Sequence, residues 1–185
     1  NKIVTTSGGG AVVTDNRELA ENIRFLSTQG RDPYEHYQHS NVAYNYRMSN
    51  ILAGIGRAQL EVLNDRVLRR REIFEIHQTF FSQYKDIFSL PVEAKGAYTG
   101  WLAYPLLIND GVNFQRRELQ IFLEQRNIQT RVIFTGNILR QPGFESIKCI
   151  GQADEFINSD NVMKNGMLIA CHHGLEDNQI EHIQE

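Results

Sequence analysis

Cysteine, proline and tryptophan are scarce in this chain of 185 residues: two, four and one respectively. Two cysteines, Cys149 and Cys171, cannot frame a disulfide scaffold, and thiols used this sparingly suit a reducing compartment, so a cytoplasmic protein is expected. No apolar run approaches the ~20 residues that a membrane span requires. The polar, strand-like beginning does not read as a secretory signal. An excess of positive charge is also lacking, with 19 Lys and Arg against 22 Asp and Glu, so nucleic acid is not the expected partner. The one basic run, Arg69-Arg70-Arg71, lies inside a helical pattern and reads as a solvated helix face. A metal site is not expected either. In Cys171-His172-His173 an extended backbone points the two histidines to opposite faces, and no second cluster stands at ligand spacing. What is present is an ordinary composition, 41% hydrophobic, long enough for a real core and suited to one domain plus part of another.

Organisation follows from periodicity and punctuation. Val4 to Thr14 reads as a hairpin around Gly8-Gly9-Gly10. Asp15 or Asn16 then caps a helix with the stripe Leu19, Ile23 and Leu26. From Ser27 to Tyr46 the chain loses periodicity and turns polar and aromatic, with Gln29-Gly30-Arg31-Asp32-Pro33-Tyr34, His36, Tyr37, His39, Tyr44 and Tyr46. A loop of that length inside a compact domain is more often functional than filler. Ser49-Asn50 caps a long helix running toward Lys85, with Gly54 and Gly56 permitting close packing near its start. Beyond Pro91 a second α/β unit is expected: strands over 100–108, 128–134 and 167–171, and helices after Asn113, over 160–165 and over 176–183.

Four segments concentrate the polar residues: the Lys2 loop, Gln29–Asp32, Tyr44-Asn45-Tyr46-Arg47 and Arg131–Arg140. Lys2 offers a primary amine next to a glycine-rich backbone, the combination that Schiff-base chemistry needs; the alternative is a solvated lysine before a tight turn. Tyr44-Asn45-Tyr46-Arg47 places an amide and a guanidinium two residues apart, a pair suited to a phosphate or to a surface carboxylate. In the stretch from Arg131 to Pro142, two arginines and a Gly-Asn turn interrupt an apolar run. That is a ligand loop or an ordinary strand end.

Taken together, Lys2 with Thr5-Thr6-Ser7-Gly8-Gly9-Gly10, Gly30-Arg31-Asp32, and Tyr44-Asn45-Tyr46-Arg47-Met48-Ser49-Asn50 with Ala53 and Gln59-Leu60, resemble the DegT/DnrJ/EryC1/StrS family of sugar aminotransferases. The resemblance covers essentially the whole chain, in order and at compatible spacing. It implies the C-terminal part of an α/β, fold-type-I transferase dependent on pyridoxal 5'-phosphate. Residues 1–49 would end the large domain, 50–90 would form a long bridging helix, and 91–185 would form a small domain with a mainly antiparallel sheet.

By the same resemblance Lys2 is the catalytic lysine, joined to the cofactor and shuttling a proton. Asn45 and Arg47 bind cofactor across a homodimer with shared active sites. Arg131, Asn137 and Arg140 face the substrate, a keto sugar expected to be nucleotide-linked, with glutamate as donor, in deoxyamino-sugar and surface polysaccharide synthesis. The chain departs from the family pattern at Ala43, where glycine is usual. The family's aspartate for the pyridine nitrogen and its stacking aromatic precede the lysine. A longer parent, of which this is the C-terminal half, is therefore expected. Phe134 to Pro142 with Cys171-His172-His173-Gly174 resembles the branch that includes the deoxysugar 3-dehydratases. Those enzymes carry histidine where this chain has Lys2, so transamination is expected over dehydration. A non-catalytic fragment is the remaining alternative.

Overall fold

The computed structural model describes residues 2–32, 34 and 37–185. Asn1 and, within the loop expected over 27–46, Pro33, Glu35 and His36 lie outside the described residues. The chain divides into two compact units, Lys2–Leu63 and Asn64–Glu185.

The first unit is built on two helices, each started by a cap. Helix α1 (Arg17–Ser27) begins at Asn16, whose side chain accepts the Leu19 N–H at 3.0 Å. Helix α2 (Asn50–Glu61) begins at Ser49, whose hydroxyl accepts the Leu52 N–H at 3.3 Å. Between them the aperiodic segment folds back on itself. Gln29 N–H donates to Tyr44 O at 3.0 Å and Tyr46 N–H to Ser27 O at 2.8 Å, bridging Thr28 to Asn45. A second bridge joins Arg31 and His39.

Two expectations fail here. The hairpin over Val4–Thr14 does not form, and no residue of that segment is in a strand. Side-chain hydroxyls close the turn instead: Thr6 Oγ1 donates to Gly8 O at 2.8 Å, and Ser7 N–H donates to Thr5 Oγ1 at 3.1 Å. The helix expected from Ser49 toward Lys85 is broken at Val62 (φ −110°, ψ 10°) into α2 and α3 (Leu63–Phe81).

The second unit packs α3 against an antiparallel sheet of four strands, in the order β1-β2-β4-β3. The strands are β1 (Phe88–Ser89), β2 (Tyr104–Ile108), β3 (Arg131–Val132) and β4 (Gly166–Ile169). β2 and β4 pair Tyr104 with Ile169 and Leu106 with Met167. Alternation along β2 sends Tyr104, Leu106 and Ile108 to the buried face. α3 meets that face with Ile73, Phe74, His77 and Phe81, a spacing of three to four. Phe74 stacks on Trp101 with centroids 3.8 Å apart, and Tyr104 contacts Phe74, His77 and Phe81. Burying side chains of this size contributes about 1.5–3 kcal/mol each. Helices α4 (Arg116–Glu124), α5 (Ile157–Asn165) and α6 (Asp177–Gln184) complete the unit, Ile180 of α6 joining the core. The expected strand over 128–134 shrinks to two residues.

The basic run is not a solvated face. Arg69 pairs with Asp177 at 2.7 Å and Glu72 at 2.8 Å. Arg71 makes a forked pair with Glu93 at 2.7 and 3.0 Å and donates to Thr99 O. Arg70 is fully buried: Nη1 donates to the carbonyls of Trp101, Leu102 and Cys171, and Nε to His173 Nδ1 at 3.2 Å. The core face of α3 passes through position 70. The loop carbonyls that enter the core beside it have no strand partner, and the guanidinium satisfies them.

Candidate active site

The residues expected to carry chemistry fall into two groups, one in each compact unit. Lys2, Asn45 and Arg47 belong to the first. Lys2 is exposed, and the backbone three residues after it is fixed to α2: Thr5 N–H donates to Gln59 Oε1 at 3.2 Å and Gln59 Nε2 donates to Thr5 O at 2.5 Å. Past that clamp the chain enters the triple glycine. Gly9 adopts φ +150°, where a Cβ would stand 2.6 Å from Met48 Cε and 2.8 Å from Thr6 Oγ1.

Gly8 to Val12 form one wall of a cleft of about 1120 Å³. Tyr44, Tyr46 and Arg47, delivered by the Thr28–Asn45 bridge, line it too, and Met48 lines it where it meets Gly9. The two tyrosine rings stack at 5.6 Å. Asn45 spends its Oδ1 locally, accepting the Arg47 N–H at 3.2 Å. Arg47 lines the cleft, and its side chain has no hydrogen-bond or ion-pair partner among the described residues. The surface is therefore roomy, mostly apolar and aromatic, with one uncommitted cation. That combination fits an aromatic, anionic small molecule.

Arg131, Asn137 and Arg140 belong to the second unit, where the structure joins two of them. Asn137 is buried, donating from Nδ2 to Asp160 Oδ1 at 2.8 Å and to Ala153 O at 2.9 Å, while its Oδ1 accepts the Leu139 N–H. Arg140 forks onto Asp160 at 3.0 and 2.7 Å and reaches Asp154 at 2.7 Å. Arg140 and then Asn137 hold the Asp160 carboxyl down at about 2. Asp160 was not singled out from sequence, because its partners lie some twenty residues earlier. Arg131, exposed on β3, takes no part in this network.

Cys171 and His173 contact Arg70. Cys171 Sγ–H donates to Arg70 O at 3.3 Å, and burial pushes the thiol up to about 12. His172 Nδ1 accepts the Gly174 N–H at 3.0 Å. Burial, and then the positive neighbours His172 and Arg70, lower the pKa of His173. Among the described residues no group of three or more His, Cys, Asp or Glu could hold a metal ion, and no helix is long and apolar enough to cross a membrane.

A family model described as the DegT/DnrJ/EryC1/StrS aminotransferase family matches residues 1–185. The chain belongs to that family. EpsN of Bacillus subtilis (strain 168), which carries the name of a pyridoxal phosphate-dependent aminotransferase, is 36% identical over 169 residues, 91% of this chain and 42% of EpsN. A dTDP-4-dehydro-2,6-dideoxy-D-glucose 3-dehydratase of Saccharopolyspora spinosa is 29% identical, over 98% of this chain and 44% of that protein. Among solved structures, the sugar aminotransferase CalS13 of Micromonospora echinospora superposes with a TM-score of 0.80 at 20% identity, over 99% of this chain and 48% of CalS13. The chain thus spans about half the length of the relatives it matches. The fold expected from sequence, an α/β part of a transferase of this family with a small antiparallel sheet, agrees with these neighbours.

Proposed function

We propose that the full-length protein is a pyridoxal phosphate-dependent aminotransferase. Its substrate is a keto sugar carried on a nucleotide, its amino donor is glutamate, and its product feeds surface polysaccharide. The observation that carries this reading is the clamp of Thr5, three residues after Lys2, on α2, in a segment whose glycines line a cleft together with Tyr44, Tyr46 and Arg47, in a chain matched to the family over its whole length. The cofactor, when bound, supplies the electron sink for carbanion chemistry.

The chain's own residues supply the rest. Lys2 Nζ is the amine that holds the cofactor and the base that moves the proton at the reacting carbon. Arg47, with Asn45 bracing its backbone, is a phosphate-binding cation, offered across a homodimer interface. The loop held by Asn137 and Arg140, with Arg131 on the neighbouring strand, faces the sugar nucleotide. The enzyme works in the cytoplasm.

A dehydratase reading draws support from the Saccharopolyspora spinosa relative. Lys2 argues against it, because the resemblance places histidine there in dehydratases. Glutamate-dependent formation of an amino sugar by the full-length protein, lost in Lys2→Ala, is the expected result. A deoxygenated, unaminated product would establish the dehydratase instead.

A further inference from the structure

We propose that Gln59 is a positioning residue for Lys2, acting through a two-point clamp on the backbone of Thr5. The inference rests on Lys2 being the reactive amine. The side chain of glutamine carries an amide like that of the peptide group, with an acceptor oxygen and an NH2 that donates. Its Oε1 takes the Thr5 N–H at 3.2 Å, and its Nε2 donates to the Thr5 carbonyl at 2.5 Å, across 54 residues of sequence. This is what a neighbouring strand would offer Thr5, which is in no strand. Two bonds to one residue fix both its position and its rotation.

A second contact on the same face of α2 reinforces the clamp. Gly56, three residues earlier, is buried, and a Cβ there would stand 2.7 Å from Thr6 Cγ2. The segment after Lys2 therefore lies directly on the helix surface. The two hydroxyl bonds within Thr5–Gly8 then carry that placement into the glycine wall of the cleft. Why an amide does this work follows from the unit itself. Within the chain, the described residues of this unit bury only Gly30 and Gly56, and the contacts that fix the segment to α2 are these polar ones and the close approach at Gly56. A reactive amine needs its root held, since a displacement of about 1 Å can cost roughly 100-fold in rate.

The test uses the full-length protein as wild type, Gln59→Ala, Gln59→Glu, Gly56→Ala and, as a control on the same helix, Glu61→Gln. Three quantities are measured: hydrogen exchange at the Thr5 amide, the rate at which pyridoxal phosphate becomes fixed to Lys2, and kcat and KM for the sugar. In the second, amine and aldehyde condense with loss of water, borohydride reduces the C=N bond to a secondary amine, and peptide mass spectrometry locates it.

Gln59→Ala is expected to speed Thr5 exchange and slow fixation and kcat by about 10- to 100-fold, with KM little changed. Gln59→Glu keeps the acceptor but not the donor, so it should restore part of the rate. It also carries the test, with Gly56→Ala, should Gln59→Ala not fold. Glu61→Gln should match wild type. Fixation at the wild-type rate in Gln59→Ala and Gly56→Ala, with Thr5 exchange accelerated, would overturn the positioning role alone. No fixation on Lys2 in the wild type would overturn the reading of Lys2 and this inference with it.

Discussion

The two compact units hold themselves together by different means. Asn64–Glu185 buries a continuous set of apolar and aromatic side chains and spends its arginines on buried carbonyls and forked carboxylates. Lys2–Leu63 buries no large side chain among its described residues, and leaves Val13 92% and Val42 96% exposed. Its order comes from caps, backbone bridges and an amide clamp. The residues proposed to hold the cofactor all sit on this second kind of scaffold. Within the chain, apolar burial holds one unit and directional polar contacts the other, so substitutions in the two units should fail in different ways.

The largest expected contrast is in the core. Phe74→Ala removes the ring stacked on Trp101 and against Tyr104, and should destabilise the chain by about 3–5 kcal/mol in urea unfolding followed by circular dichroism. Val42→Ser should stay within about 0.5 kcal/mol. Equal losses would erase the contrast.

The arginines give the next. Arg70→Met strands the carbonyls of Trp101, Leu102 and Cys171, at an expected cost of about 3 kcal/mol. Arg47→Met should leave the unfolding midpoint in place and instead weaken cofactor retention, read by dialysis and absorbance.

A smaller effect separates the units by pH. Burial lowers the pKa values of His77, His172 and His173 below the ordinary histidine value of about 6.5. The unfolded chain then binds more protons than the folded one. The stability these groups contribute is present above about pH 6.5 and is lost as pH falls through their folded values. Glu93, drawn down to about 2 by its pair with Arg71, behaves likewise only at lower pH, below about 4. Unfolding midpoints between pH 7 and 5 should therefore fall, and fall less in His173→Asn, whose amide oxygen can still accept from Arg70. A flat profile would contradict the burial of His77 and the partial burial of His173. The smallest effect is local: Asp160→Asn should leave the global midpoint nearly unchanged while speeding proteolysis between residues 141 and 152, because Asn137 and Arg140 lose their shared anchor.

Much of the fold was legible because its signals are local. Asn16 and Ser49 cap where cap chemistry places them, and the strands expected over 100–108 and 167–171 contain β2 and most of β4. What stayed hidden depends on partners far along the chain. Arg70 looked solvated because the carbonyls that need it lie 31 to 101 residues away. The break at Val62 carries neither glycine nor proline, and the hairpin failed because Thr5 found its partner in Gln59 rather than across the glycines. At the site, Lys2 and Arg47 could be picked out by residue type and spacing. The cleft that the glycines and the tyrosines line could not, since the Thr28–Asn45 bridge creates it.

The most direct test of the account is the location of the cofactor's covalent attachment. The chain contains five lysines: Lys2, Lys85, Lys95, Lys148 and Lys164. After treatment of the full-length protein with pyridoxal phosphate and borohydride, peptide mass spectrometry should find the adduct on Lys2 and none on the other four. Labelling spread over all five, or absent from Lys2, would contradict it.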